Sequence, residues 1–320
     1  MAHPQLTCLS NWRSFGIASS LAETGRFHTM SPINSLVARF APMLFVVIWA
    51  TGFIVARLVA PHIEPLTFLL LRYLGAMVAL TIIAMVIGAT WPRTRNEWFN
   101  GLVSGILLHG FYLGGVFWAV RNGMPGGIAS LIAGLQPLAT AALVGPLLGE
   151  RVSVRRWVGV IVGMVGAVLV VVPKLGTANG IPTIALIACL IGMVSITFGT
   201  IWQKKTGSKV DLVTNTIVQY IAAFIVTLPV AMATETMRFE FGLALITGYL
   251  WAVLGLSVGA ILLLMMLIRR GAVAGVATLI YLVPPVSAIM AYFAFNETLS
   301  AIQIAGMITA ATGVAIASRS

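Results

Sequence analysis

Three side chains with chemistry to offer stand inside stretches too apolar to be surface loops: Arg72 in "EPLTFLLLRYLGA", His109 in "GILLHGFYLGGVFWAV" and Ser257 in "GLSVG". Arg72 lies about seven residues into its run, roughly 10 Å deep at 1.5 Å per residue. Its guanidinium presents a fork that matches a carboxylate. It could draw a substrate carboxylate, or it could be held within the protein as a structural group; either way a cation there costs about 2.5–3.5 kcal/mol and needs a partner or a cavity. His109 is near the middle of its run, and histidine is the side chain whose ordinary pKa lies in the physiological range. It is a candidate for proton coupling or substrate contact, against a histidine that simply bonds to a facing helix, with Tyr112 three residues on along the same face. Ser257 sits in a G-x-S-x-G pattern and could pair with His109 in an intramembrane serine protease. That motif belongs on a strand-to-helix turn, however, and small residues at this spacing are ordinary packing material between membrane helices.

The remaining polar groups are weaker candidates for the substrate pathway. Trp49, Gln136 and Gln203 sit in apolar runs, Gln136 directly before Pro137 and Tyr281 just before Pro284. A proline within a helix frees a backbone carbonyl one turn earlier, and such an opening is tolerated where it lines a cavity. The four histidines are dispersed, and of the two cysteines Cys8 lies in a polar tail and Cys189 in an apolar run. Neither a metal site, a disulfide framework nor a cofactor is indicated. No GxxxxGK[ST] loop is present, so the chain is not expected to hydrolyse ATP.

The scaffold that must position these residues follows from composition. The 320 residues are 59% hydrophobic and only 8% charged, with a mean hydropathy of +1.02. Soluble domains carry about a quarter charged residues, so a lipid bilayer is the expected solvent for most of the chain. The formal charge of +11 comes from residues in short connections rather than from clusters interleaved with aromatics. Membrane topology explains that distribution and nucleic-acid binding does not.

Breaks at charged and Pro/Gly-rich segments leave ten apolar runs, near 42–60, 65–88, 98–119, 125–147, 155–172, 181–203, 211–233, 243–268, 272–294 and 300–318. With both termini in the cytoplasm, fourteen of the nineteen Lys and Arg fall on the cytoplasmic side and three (Arg121, Lys174, Arg238) on the other; Arg57 and Arg72 are inside spans. The positive-inside rule therefore favours cytoplasmic termini.

Sliding the chain on itself by 147 residues brings Gly52 onto Gly199, Tyr73 onto Tyr220, Pro137 onto Pro284, Glu150 onto Glu297, Ser153 onto Ser300, Gly159 onto Gly306 and Gly166 onto Gly313. One offset serves from the first span to the last. Each half holds five spans, an odd number, so the second half enters from the opposite face. This is the inverted repeat of many secondary transporters. Glu150 and Glu297 each precede a short turn into the next helix, where a carboxylate is expected to cap that helix's first N–H groups. In the same register Arg72 meets Gln219, and Arg57 meets Lys204 at a span end suited to snorkelling. The expected fold class is all-α and membrane-embedded, with ten helices in two inverted repeats, residues 41–173 and 181–318, after a polar tail at 1–40. The tail holds three arginines, six serines and one acid, and Met30 offers an alternative start to Met1.

These runs resemble the drug/metabolite transporter superfamily, in particular proteins with two EamA-type domains. The likeness spans about 40–318 and rests on "IWATGFIVARL", "EPLTFLLLRYLGA", "GGIASLIAGLQPLATAALVGPLLGERVSVRRWVGVIVGMVGAVLV" and its counterpart "AGVATLIYLVPPVSAIMAYFAFNETLSAIQIAGMITAATGVAIA". The resemblance implies an inner-membrane exporter of amino acids or other small metabolites, and a central cavity lined by spans 1, 3, 4, 6, 8 and 9, with spans 5 and 10 outside it. The expected partners are the bilayer, a small-molecule substrate and, as a candidate coupling ion, the proton. An exporter of lipophilic cations is the alternative, but such proteins usually meet the cation with an intramembrane acid, and no mid-membrane position in this chain is acidic.

Overall fold

In this computed structural model the chain is described at residues 32–148, 153–171, 180–206, 210–263 and 282–318, so Glu150 and Tyr281 lie outside the described residues. Two compact units separate at Phe40, and the helical body is the second, from Ala41 onward.

Local sequence explains where the helices start and stop. The first, α1 (Pro32–Val59), hands over to α2 (Pro65–Ile87). There Pro65 occupies the first helical position, where its missing N–H costs nothing, and Gly88, at φ 63°, ends the helix in the left-handed conformation. Thr94 and Glu97 form a reciprocal capping box that opens α3 (Arg95–Arg121). Next come α4 (Gly126–Gly134), α5 (Gln136–Leu148) and α6 (Val154–Val171). In the second half lie α7 (Thr183–Thr206), α8 (Leu212–Thr234), α9 (Leu243–Leu263), α10 (Val283–Phe295) and α11 (Ala301–Ser318). Asp211 caps α8 by accepting from the Val213 N–H, and Ser300 with Gln303 forms the capping box of α11.

Helices account for the regular structure among the described residues, beside isolated bridge positions such as the antiparallel pair Ile63 and Phe239. Five helices, α2, α3, α7, α8 and α9, are long and apolar enough to cross a membrane, and shorter apolar helices accompany them. Large apolar side chains such as Val78, Ile82 and Met85 on α2 and Ile161, Val165 and Val168 on α6 stand exposed. Water would penalise that surface and lipid does not.

The repeat seen in the sequence organises the packing. Tyr73 and Tyr220, equivalent under the 147-residue offset, stack on each other with ring centroids 5.6 Å apart where α2 crosses α8. Near the other end of the chain, α6 lies along α11. A Cβ added to Gly166 would enter the backbone of Gly306 and Ala310, and one added to Gly313 that of Gly159 and Gly163. The two halves thus make equivalent contacts, Gly166 on Gly306 and Gly313 on Gly159, and only glycine permits the separation.

Two sequence expectations change. Pro137 and Pro284 do not interrupt running helices. The fourth apolar run breaks at Leu135 (φ −78°, ψ −11°), and Pro137 stands in the first turn of α5. Its counterpart Pro284 stands in the first turn of α10 after Leu282 (φ −83°, ψ −10°). A proline at a helix start gives up an N–H that has no intrahelical partner, so the break is the cheaper arrangement. The second change concerns Glu297. Asn296, in the left-handed region at φ 54°, turns the chain sharply just before the Glu297 carboxylate. That carboxylate accepts instead from the N–H groups of Gly126 and Gly127, at the start of α4 in the other half. Arg57, expected only to snorkel, is 44% exposed and also places its Nε 3.8 Å from this carboxylate.

Candidate functional site

The polar groups converge where α2 and α8 meet two departures from α-helical geometry. Within α3 the segment Ile106–Phe111 is π-helical, and within α9 so is Trp251–Gly259. The repeat offset carries the first onto residues 253–258, inside the second. A π turn widens the helix and loosens the i→i−4 ladder, and such turns occur mostly at functional sites. In α3 two carbonyls of the widened turn recruit hydroxyls from neighbouring helices. Ser195 of α7 donates to the Leu107 carbonyl at 2.9 Å, and Tyr73 of α2 to the His109 carbonyl at 2.7 Å. The extra residue also changes the angular relation between His109 and Tyr112 that simple helical spacing implies.

His109 and Arg72 each meet a side chain from the opposite half. His109 Nε2 lies 3.1 Å from Gln219 Oε1 on α8, and the imidazole, protonated at Nε2, donates to that amide oxygen. Its ring packs against Tyr220 at 4.5 Å. Gly105 makes this reach possible: a Cβ there would collide with the Gln219 backbone, so α3 and α8 touch main chain to main chain. Arg72, 6% exposed, donates from Nε to Ser257 Oγ on α9 at 3.2 Å. The two ties are related by the repeat. An α2-type residue (Arg72 or its counterpart Gln219) bonds to a group on the π turn of the other half.

Ser257 accepts from Arg72, and His109 is engaged with Gln219. The two side chains are thus engaged with separate partners rather than with each other.

Arg72 has no carboxylate to balance it among the described residues: Glu64, Glu97, Asp211, Glu235, Glu240 and Glu297 all lie at helix ends or in connections. The group it bonds to is a neutral hydroxyl. A cation in this position is stabilised far better by an anion than by one alcohol.

The other expected residues lie in three places. Gln136 Nε2 donates to Thr140 at 3.3 Å and to Thr200 on α7 at 3.2 Å, tying α5 to α7. Gln203, half-buried, follows Thr200 by three residues on α7. Trp49, also half-buried, leans on Phe45 at 5.4 Å within the core around α1. Tyr112 is buried in the main core. Gln219 is the residue whose importance the sequence understated. Only its register with Arg72 pointed to it, since a lone glutamine in an apolar run carries no signal of its own.

Comparisons with known proteins agree with this architecture. The model of the EamA-like transporter family matches residues 37–172 and again 183–319. The inner membrane transporter YedA of Escherichia coli K12, itself uncharacterized, is 28% identical over 259 residues, 80% of this chain and 82% of its own. A protein of Salmonella typhimurium named "Probable amino-acid metabolite efflux pump" is 29% identical over 166 residues, 52% of this chain and 53% of its own. A crystal structure with 18% identity shares the fold at a TM-score of 0.63, covering 88% of this chain and 96% of that one. With two family matches that together span nearly all of the described helices, the chain belongs to the EamA-like transporter family and is a multi-pass protein of the bacterial inner membrane.

Proposed function

We propose that this protein is a secondary transporter that exports a small polar metabolite bearing a carboxylate, such as an amino acid or a derivative, by alternating access. In this reading ten spans form two inverted repeats, residues 41–173 and 181–318, after a polar tail at 1–40, and both termini lie in the cytoplasm. The protein performs no covalent chemistry. The polar cluster of Arg72, His109, Gln219 and Ser257 handles the solute's polar part, while Trp49, Tyr112, Gln136, Gln203 and Tyr281 belong to the pathway.

The observation that carries the reading is the buried Arg72 guanidinium with a single neutral partner and no carboxylate beside it among the described residues. A solute carboxylate supplies the anion that the described residues do not. The same charge opposes the alternative of a lipophilic-cation exporter, because a cation entering this site would meet a cation. The Salmonella relative's name, a pump for amino-acid metabolites, points the same way.

Flux of labelled amino acids into proteoliposomes, with and without an imposed pH gradient, tests the proposal. Saturable movement of at least one compound is expected, and concentration against its gradient would make the proton the coupling ion. Efflux of cationic dyes with no movement of any carboxylate-bearing solute would overturn it.

A further inference from the structure

Two glutamates that follow α8 and α10 hold helix starts in very different ways. Glu235 accepts from the Leu66 and Thr67 N–H groups at 2.8 and 2.7 Å and from the Thr67 hydroxyl at 2.7 Å, fastening the start of α2 to the end of α8. Glu297 reaches the Gly126 and Gly127 N–H groups at 3.3 and 3.4 Å, and Arg57 Nε at 3.8 Å. Charge-assisted bonds to a carboxylate normally close to about 2.7–2.9 Å. The first set is a tight fastening and the second a loose one.

The helices joined by the loose set are informative. Arg57 belongs to α1, Gly126 and Gly127 to α4, and Glu297 to the end of α10, so one carboxylate ties two helices of the first half to one of the second. Beneath it α4 and α10 meet over small residues. A Cβ on Gly127 would touch Ala288, and one on Gly134 would press into Pro284. At these positions the helices meet through small residues, so no long side chains have to disentangle for them to part. Ser287 Oγ, on α10 one residue before Ala288, is buried and has no hydrogen-bond partner among the described residues. A cavity of about 210 Å³ bordered by Pro125, Gly127, Ala288, Asn296 and Glu297 lies beside the carboxylate. It has room for water to take over the carboxylate's hydrogen bonds once they are released.

We infer that Glu297 is a releasable latch: its carboxylate, shared between Arg57 and the start of α4, holds α1, α4 and α10 closed over one end of the solute path, and opening toward that side requires its release. The inference rests on the alternating-access reading. Glu235, by contrast, is a permanent fastening that lets α2 and α8 move as one body.

A reporter cysteine tests the latch. Ala288→Cys, at the closed α4–α10 seam, is introduced in a Cys8→Ser, Cys189→Ala background, and its reaction with a membrane-impermeant maleimide is timed in right-side-out and in inverted vesicles. Glu297→Gln is expected to speed labelling from one face about tenfold, the change in open population that about 1.4 kcal/mol produces. Arg57→Gln keeps the cap on α4 intact and is expected to give a smaller increase from the same face, roughly threefold. It also serves should Glu297→Gln fail to fold. Glu235→Gln is expected to lower the melting temperature without changing the labelling rate. Unchanged labelling in both Glu297→Gln and Arg57→Gln would overturn the latch. Amino-acid flux measured on the same vesicles separates this outcome from failure of the transport reading: intact flux with unchanged labelling removes the latch alone.

Discussion

In the proposed function, recognition of the solute turns on Arg72. Its guanidinium is buried in a membrane protein, bonded through Nε to one serine. Were it only a brace between α2 and α9, replacing it with glutamine would cost little beyond one hydrogen bond. If it also meets the solute, Arg72→Gln should reduce carboxylate transport by at least about tenfold, the range of one charge-assisted hydrogen bond. The thermal transition of the purified protein should move by only a few degrees. Equal transport by the variant would assign Arg72 to structure. Ser257→Ala makes the complementary case. It removes a neutral acceptor, so transport should fall by less than about fivefold, and the wild-type protein should show no Ser257-dependent labelling by a fluorophosphonate probe. His109 and Gln219 form the matching tie, and the Tyr73 hydroxyl on the His109 carbonyl is part of the same support. Tyr73→Phe leaves that carbonyl unpaired in a buried place and should lower stability by about 1–3 kcal/mol, read as a lower melting temperature in detergent.

Among the elements, the paired π segments and the glycine crossing matter most. The π turns of α3 and α9 sit at equivalent places in the repeat, and each presents a polar group to an α2-type helix of the other half. They were not legible in the sequence. Apolar periodicity through "GILLHGFYLGGVFWAV" suits a regular helix, and a π turn adds a residue without any composition that marks it. The α6–α11 crossing was legible in part. Gly159, Gly166, Gly306 and Gly313 aligned under the offset and signalled close packing, and the structure places Gly166 against Gly306 and Gly313 against Gly159. Gly313→Val has no space for its side chain against the backbone of Gly163, so the helices must separate. A lower melting temperature, by more than Tyr73→Phe produces, is the expected outcome; a variant as stable as the parent would contradict the crossing.

Across the whole molecule, the sequence exposed the architecture better than the site. Charge scarcity, apolar runs and one constant offset led to a helical membrane protein with a doubled plan, because lipid and symmetry act on many residues at once. Pairings between halves were harder, since they depend on which helix faces which. Glu297 shows the difficulty: local logic assigned it to the helix that follows, whereas the turn at Asn296 sends it to α4. Gln219 shows it again, being silent until α3 is placed beside α8. The proposed layout makes its own claim at this scale. Reporter fusions after residue 318 and before Ala41 should both be active only in the cytoplasm, and a reporter inserted in the connection at Lys174–Asn179 only outside it. Opposite locations for the two ends would break the inverted repeat.

At the centre of the proposed mechanism, a buried cation with no carboxylate beside it among the described residues receives the carboxylate of a transported solute. Counterflow of a panel of labelled amino acids in proteoliposomes, run side by side for the wild-type protein and Arg72→Gln, probes that step without intermediaries. Saturable counterflow of at least one amino acid by the wild type and its near loss in the variant are the expected results. Transport of a solute that lacks any anionic group, undiminished by Arg72→Gln, would contradict the proposal.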